Sequence, residues 1–594
     1  MNDQGGSCLA EPEISLCSTP VSVAHRGGTL LFAATATLLL FWGLGGRSLW
    51  AAEGRWAQIT REMLLTGDFF HPTIGGEPYF DKPLLTYWLR AAIFALTGRL
   101  NELTVRLPSA LAGLAAVWAT MKIGSRLWSA GTGRIAGWFL LTMYAFLFWA
   151  RTGMADAENL AAITLAVAWY WSRRDRLGFS AMLIFYLIAF VGALTKGLTA
   201  VAVPICIVLP DMLIERRWRI LFGIRHIAAF GLAVLVYLSP FVYASLTRPA
   251  SYQSSGLALV FQENVLRYFR PFDHKGAFYM YLYELPVLLL PWTPLFTLAA
   301  FGVVRCRRSL DSHTRWLVWA IVLVFMFFSL SGSRRSYYIL PILPLCALLM
   351  AVFVVWMREP WTDELRQKGL AVQRVLLIGL IVFDLATPLI LIIAGKVWQF
   401  HTHLIFHVAS LAVGTTAILV GFGLDLFKWP RFSLDERGVI QPWIGVAAVL
   451  LGGYFCWQQG ILDRNRTGYP FTQELRARSA AFPPERIAMF PQVNANILFY
   501  LHADKPIRIL KNVDQLRSFL ESGVPGVVII QNRYAAGLPP EIVNELQKRK
   551  SLHERIQPWE SKSSKKEKWA AWSWGQPSDA AGATENREGA NDAI

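Results

Sequence analysis

Ionisable side chains concentrate in this sequence where ordinary surface charge is least expected. Between two apolar runs, residues 47–108 read RSLWAAEGRWAQITREMLLTGDFFHPTIGGEPYFDKPLLTYWLRAAIFALTGRLNELTVRLP. The stretch carries Glu53, Arg55, Arg61, Glu62, Asp68, Glu77, Asp81 and Lys82 among Trp50, Trp56, Phe69, Phe70, Tyr79, Phe80, Tyr87 and Trp88. It is too polar to cross a bilayer, and its rings suit a platform at the lipid–water interface. Charged groups beside a membrane invite a functional reading, and this stretch reads as the core of an active site. Later apolar runs are joined by short connections with isolated charges: Arg151, Asp156, Lys196, Arg334, Arg335 and Lys396. An anionic ligand at the outer membrane surface would explain the basic ones; snorkelling to lipid phosphates is the plainer alternative. Asp156, just before an apolar run, could equally cap a helix. No Ser-His-Asp arrangement, P-loop or HExxH motif occurs.

The elements that must hold these groups are membrane helices. The chain has 594 residues, of which 54% are hydrophobic and only 16% charged, against about 25% charged in soluble domains. Thirteen apolar runs stand out, at 29–46, 107–124, 133–149, 158–172, 178–195, 198–214, 226–246, 282–303, 315–331, 337–357, 374–396, 404–426 and 439–458. The segment before His25 lacks a cleavable signal pattern, so the first run reads as a retained helix. The net charge of +17 falls in short clusters between runs, the pattern of cytoplasmic loops rather than of a nucleic-acid surface. With residues 1–28 inside, those clusters alternate consistently. Loops 47–106 and 247–281 then lie outside, and so does everything after 458. The expected organisation is a cytoplasmic segment 1–28, a transmembrane domain 29–458, an outer α/β domain 459–560 and a disordered tail 561–594. The α/β expectation rests on short apolar runs at 487–490 and 527–530 that alternate with helix-like stretches at 494–501, 513–520 and 540–550. Within the first loop, residues 55–65 have helical apolar spacing and predict an amphipathic helix lying on the membrane. Pro83 predicts the start of a second helix running to Thr97. The six cysteines form no CxxC pair and read as small buried residues.

At the level of motifs the chain resembles a known family. The run LWAAEGRWAQITREMLLTGDFF…GEPYFDKPLLTYW…RLPSALAG is followed in order by ARTGMADAENLAAITLA at 150–166 and LTKGLTAVAVP at 194–204. ENVLRYFRPFDHKGAFYMYL at 263–282 and SRRSYYILPILPLCALL at 333–349 come next. Together they are similar to the bacterial aminoarabinose lipid A transferases, which group with the protein O-mannosyltransferases among the GT-C membrane glycosyltransferases. The resemblance implies an all-α polytopic membrane protein with about thirteen transmembrane helices and a small outer α/β domain. It implies transfer of a sugar from an undecaprenyl-type polyprenyl phosphate to lipid A or another envelope acceptor. The reaction would be an inverting displacement on the periplasmic side of a bacterial inner membrane. No nucleic-acid partner is implied.

The resemblance also implies roles. Glu53 matches the second member of the family's Asp-Glu pair, and Ala52 stands where the Asp is expected. Glu53 and Asp156 are therefore the expected catalytic carboxylates. Lys82, Lys196, Arg335, Arg55 and Tyr79 are the expected donor-phosphate contacts, with Arg335 favoured over Arg334. Asp81 is an acidic group that a divalent metal ion could use, although no ligand spacing proves one. Glu263, Asn264 and His274 are candidate acceptor contacts in the second loop; His274 as a base is weak, since a lone loop His is ordinarily solvated. Protein O-mannosyl transfer, or lipid binding or transport without catalysis, are the alternatives.

Overall fold

The computed structural model describes residues 26–50, 52–80, 82–247, 276–356, 441–458, 468–556 and 562–575, with single residues at 258, 266, 382 and 386. Helix α1 (Arg26–Phe41) leads through a non-helical stretch into α2 (Glu53–Thr66), which ends at Gly67 with a φ of 72°. That left-handed geometry suits glycine because it has no Cβ. A two-stranded hairpin, β1 (Thr73–Ile74) and β2 (Glu77–Pro78), separates α2 from α3 (Leu85–Thr97). Helix α4 (Glu102–Leu127) begins with a reciprocal cap between Asn101 and Thr104. It is followed by α5 (Ala130–Leu141), α6 (Tyr144–Ala150), α7 (Asp156–Arg173), α8 (Phe179–Ala193), α9 (Thr199–Ile214) and α10 (Ile224–Leu246). From residue 276 onward come α11 (Met280–Leu288), α12 (Thr293–Arg305), α13 (Ser312–Leu330), α14 (Leu343–Trp356) and α15 (Gln441–Gly453).

The apolar runs of the sequence that fall on described residues are helical; those at 374–396, apart from residues 382 and 386, and 404–426 lie outside them. Four described helices are long and apolar enough to cross a bilayer, or up to six if two sharply bent pairs each count once. The bent pairs are α5 with α6, at 71°, and α11 with α12, at 118°. Helix α4 packs most closely against α7 and α5. Small residues let α4 approach α5 and α6 closely, as is usual where membrane helices cross. A Cβ at Gly133 would run into Ser125 Oγ and the Met121 carbonyl, and one at Gly113 would meet Ala150 Cβ at 2.7 Å. At the end of α7 far from Asp156, the Asp211 carboxylate accepts from Tyr170 Oη at 2.5 Å and from Arg174 Nε at 2.9 Å, which ties α7 to α9.

The residues after 468 build a five-stranded sheet of order β4-β3-β5-β7-β6. Strands β3 (Ile487–Phe490), β4 (Arg508–Ile509) and β5 (Gly526–Gln531) are parallel, while β7 (Trp569–Trp574) runs antiparallel to both its neighbours, β5 and β6 (Lys550–His553). Helices α16 (Tyr469–Ser479), α17 (Ala495–Leu501), α18 (Val513–Glu521) and α19 (Pro540–Gln547) accompany it. Every residue of β3 and β5 is buried, which is why each reads as a continuous apolar run rather than an alternation.

Two sequence expectations are corrected. Residues 561–594 do not all belong to a tail: β7 lies inside the sheet, paired with β5 and β6. The basic stretch KSSKKEK disguised it, and Lys562–Lys566 is a short helix. Helix α2 does not lie on the membrane with a wet polar face, because ten of its residues, Arg61 and Glu62 among them, are buried. Helix α17 of the sheet unit covers it.

The α4–α5 crossing gives a direct test of packing. Gly133→Ala should lower stability by about 1–3 kcal/mol, the usual cost of overpacking a tight contact. It would be read as a lower thermal midpoint of the detergent-extracted protein.

Candidate active site

The first charge cluster centres on Glu53, which has no exposed surface. Arg106 donates to it as a fork, Nε to Oε1 and Nη2 to Oε2, each at 2.8 Å. The backbone N–H of Gly153 donates to Oε1 at 2.7 Å and that of Trp50 to Oε2 at 2.8 Å. Arg47 Nη2 stands 3.4 Å from Oε2. Burial alone would push this carboxyl up, but the charges of Arg106 and Arg47 outweigh it, and with the Arg106 and Gly153 hydrogen bonds they hold it at about 2. Arg106 also donates to the carbonyls of Leu44, Arg47 and Ser48 at 2.9, 2.6 and 2.9 Å. The pair therefore fixes the stretch between α1 and α2 and, through Gly153, the loop that precedes α7.

The second cluster lies three residues beyond Gly153. Asp156 is the first residue of α7, whose N-cap is Ala155 without a side-chain cap bond. The capping alternative is thereby set aside: Asp156 Oδ1 accepts instead from Lys196 Nζ at 2.5 Å. Lys196 sits in the tight turn between α8 and α9, beside Gly197 with a φ of 141°. Its ammonium stands 4.9 Å from the ring centre of Tyr338 and 5.5 Å from that of Tyr337. Arg335 Nη1 donates to Tyr337 Oη at 2.9 Å, and Trp149 packs on the same ring at 4.2 Å. Arg334 turns away and donates to the carbonyls of Ser329 and Gly276. Of the two arginines, Arg335 faces the Asp156–Lys196 pair's aromatic floor.

The first loop is attached to this cluster. The Leu85 N–H donates to the Leu194 carbonyl at 3.0 Å, so the start of α3 is pinned to the Lys196 turn. Lys82, half-buried, lies three residues upstream. Arg90 of α3, fully buried, donates to Glu158 Oε1 at 3.3 Å and to Thr86 Oγ1 at 2.6 Å. Glu158 is thus more than a first-turn charge, since it joins α7 to α3. Arg55 Nη1 donates to Tyr79 Oη at 2.7 Å, which binds α2 to the chain after the hairpin. Glu62 closes that hairpin by accepting from the N–H groups of Gly75 and Gly76 at 2.6 and 3.1 Å.

Asp156, Lys196 and Arg335 are therefore brought together, Lys82 is tethered to their turn, and Arg55 and Tyr79 form a separate pair. Glu53 stands behind the site with both oxygens engaged, a positioning arrangement rather than one that presents a free base. Arg151, read as a phosphate contact, is spent on the carbonyls of Leu39, Trp42 and Phe455 at 2.7, 2.8 and 3.2 Å. Asp81, Glu263, Asn264 and His274 lie outside the described residues. Among the described residues no three His, Cys, Asp or Glu side chains gather as a metal site. Sequence reasoning missed Arg106, Arg90 and the two tyrosines as a floor for the ammonium. The available signal was, for Arg106, an arginine at the margin of an apolar run and, for Arg90, a lone charge inside the apolar stretch 84–96.

Known proteins resemble this chain over most of its length. Residues 81–243 match the family model described as dolichyl-phosphate-mannose-protein mannosyltransferase. The undecaprenyl phosphate-alpha-4-amino-4-deoxy-L-arabinose arabinosyl transferase of Pseudomonas aeruginosa is 32% identical over 419 residues, covering 68% of this chain and 72% of that protein. The enzyme of the same name from Edwardsiella ictaluri is 30% identical over 423 residues, covering 69% and 72%. In fold, the chain is similar to the crystal structure of ArnT from Cupriavidus metallidurans bound to undecaprenyl phosphate. The TM-score is 0.71 at 20% identity, over 93% of this chain and 98% of that one.

The Glu53 clamp predicts a pH dependence. Its folded value lies below its unfolded one, so the stabilisation is complete above about pH 4.5 and is lost as pH falls toward about 2. The gap corresponds to about 3 kcal/mol. Glu53→Gln should cost a similar amount, because Arg106 would keep a buried charge with a neutral partner. The variant's thermal midpoint should also lose most of the wild-type slope between pH 4.5 and 3.

Proposed function

Because the chain belongs to the family of undecaprenyl phosphate-aminoarabinose arabinosyl transferases, within the GT-C membrane glycosyltransferases, we propose that it moves a sugar from a polyprenyl-phosphate donor to an envelope acceptor. It is a multi-pass membrane glycosyltransferase. For this chain, aminoarabinose is the favoured sugar and a lipid A-type glycolipid the favoured acceptor. The proposed setting is the inner membrane with the site facing the periplasm, and the proposed topology has thirteen spans.

The observation that carries the chemistry is the Asp156–Lys196 pair. A polyprenyl phosphate departs as a stable anion, so its leaving oxygen needs cations more than a proton donor. Lys196, Lys82 and Arg335 supply them, and Arg335 can offer a forked contact to phosphate. Without donor, Asp156 neutralises Lys196. A bound phosphate would draw the ammonium toward itself and release the Asp156 oxygen to the acceptor hydroxyl. The acceptor oxygen then attacks the anomeric carbon as the bond to the phosphate oxygen breaks, and the bonding pair leaves on the phosphate. The acceptor proton passes to Asp156. One displacement inverts the anomeric centre. Arg55 and Tyr79 support the donor side, Glu263, Asn264 and His274 are proposed acceptor contacts, and Glu53 positions the loop before Asp156.

The test is transfer in membranes from radiolabelled undecaprenyl-phosphate sugars. Lys82→Ala, Lys196→Ala and Asp156→Asn should each lose about 100-fold or more in kcat. Wild-type rates in Asp156→Asn and Lys196→Ala would sink the site. Protein O-mannosyl transfer is the second reading, favoured by the family model over 81–243. Label recovered in protein instead of glycolipid would select it.

A further inference from the structure

The polar face of α2 is covered by a segment that arrives more than four hundred residues later. Tyr500, only 5% exposed, ends α17 with its hydroxyl buried in the first outer loop. It accepts from the Leu49 N–H at 2.7 Å and donates to Glu102 Oε1 at 2.8 Å. Leu49 lies in the stretch whose carbonyls Arg106 gathers, next to the Trp50 N–H that binds Glu53. Glu102 opens α4 one turn before Arg106. Phe499 and Tyr500 share an apolar cluster with Leu49, Ala57, Leu100 and Val105. Arg61 of α2 donates to the Phe499 carbonyl at 3.3 Å. Gly54, the neighbour of Glu53, lies so close to α17 that a Cβ would meet the Asn496 backbone nitrogen at 2.8 Å, as well as its side chain.

We infer that Tyr500 is a positioning residue for sugar transfer: its hydroxyl joins the C-terminal sheet unit to the stretch that sets Glu53 and, through Gly153, Asp156. Among the described residues it touches none of the groups assigned to donor or acceptor. Glu102 and the Leu49 N–H each lose a partner if the hydroxyl is removed, and no neighbouring water-filled surface is needed for the effect. Misplacing a reacting group by a fraction of an ångström is expensive in rate even where binding survives. The C-terminal unit is on this reading part of the catalytic apparatus rather than an appended module. The inference rests on the glycosyltransferase reading above.

Tyr500→Phe removes one oxygen and keeps the ring in its apolar cluster. In the full-length protein in membranes, kcat per folded molecule should fall about tenfold to 100-fold. KM for the polyprenyl-phosphate donor should stay within about twofold, since the phosphate contacts are elsewhere. Amide exchange of residues 44–55 should quicken. Glu102→Gln keeps an acceptor for the hydroxyl and should retain most activity, whereas Glu102→Ala should behave like Tyr500→Phe. Gly54→Ala prises at the same contact from the other side. Combined with Tyr500→Phe it should cost less than the product of the two single effects. A Tyr500→Phe protein with wild-type kcat overturns the inference, as does one whose exchange at 44–55 is unchanged. The exchange measurement needs no turnover, so if the wild-type protein transfers no sugar the glycosyltransferase reading fails while the latch is still judged.

Discussion

A fully buried carboxylate held by a guanidinium fork is the constraint on which the outer half of the molecule depends. Glu53 and Arg106 are both buried, and keeping either one charged there without the other would be costly. Together with two backbone N–H groups they satisfy each other, and the remaining guanidinium protons take up three carbonyls of the non-helical stretch between α1 and α2. Irregular backbone at the edge of a membrane needs such partners, because lipid offers none. Arg151 does the same for the carbonyls of Leu39 and Trp42. Two side chains thereby let the chain leave the bilayer, bend and begin α2 at one defined place.

From that fixed point the working groups follow by short links. The Gly153 N–H sets the loop before α7, and α7 begins with Asp156. Arg90 and Glu158 bind α3 to α7, and the Leu85 N–H binds α3 to the Lys196 turn. Each link is a polar contact in a poorly hydrated region, where a hydrogen bond is stronger and a broken one costs more. The site is thus assembled from four separate stretches of chain without any of them being long.

Much of this was legible in the sequence, for identifiable reasons. The strands at 487–490 and 527–530 were visible because burial on both faces writes itself as an unbroken apolar run. Asp156, Lys196 and Arg335 stood out because isolated charges at outer turns run against the ordinary distribution of basic residues. Strand β7 was not visible, because WAAWSW follows a lysine-rich stretch and its pairing partners are given only by the folded sheet. The face of α2 was misread for a related cause. Helical spacing shows which residues share a side, but not that a distant helix will cover the polar one. Arg106 escaped notice because an arginine at the start of an apolar run looks the same whether it reaches toward lipid or toward a buried glutamate.

The position of β7 has a consequence for how the protein comes into being. This strand lies within the sheet, between β5 and β6, yet it follows both of them in the chain. Until it has been made and inserted, β5 keeps an open edge and the sheet beside the helix that carries Tyr500 is incomplete. The first outer loop, made and delivered hundreds of residues earlier, must wait for it. Biogenesis thus orders the two events: the first loop is made early, and its contact with Tyr500 is framed only after β7 has been made. A copy that lacks β7 carries Asp156 and Lys196 without the completed frame around Glu53.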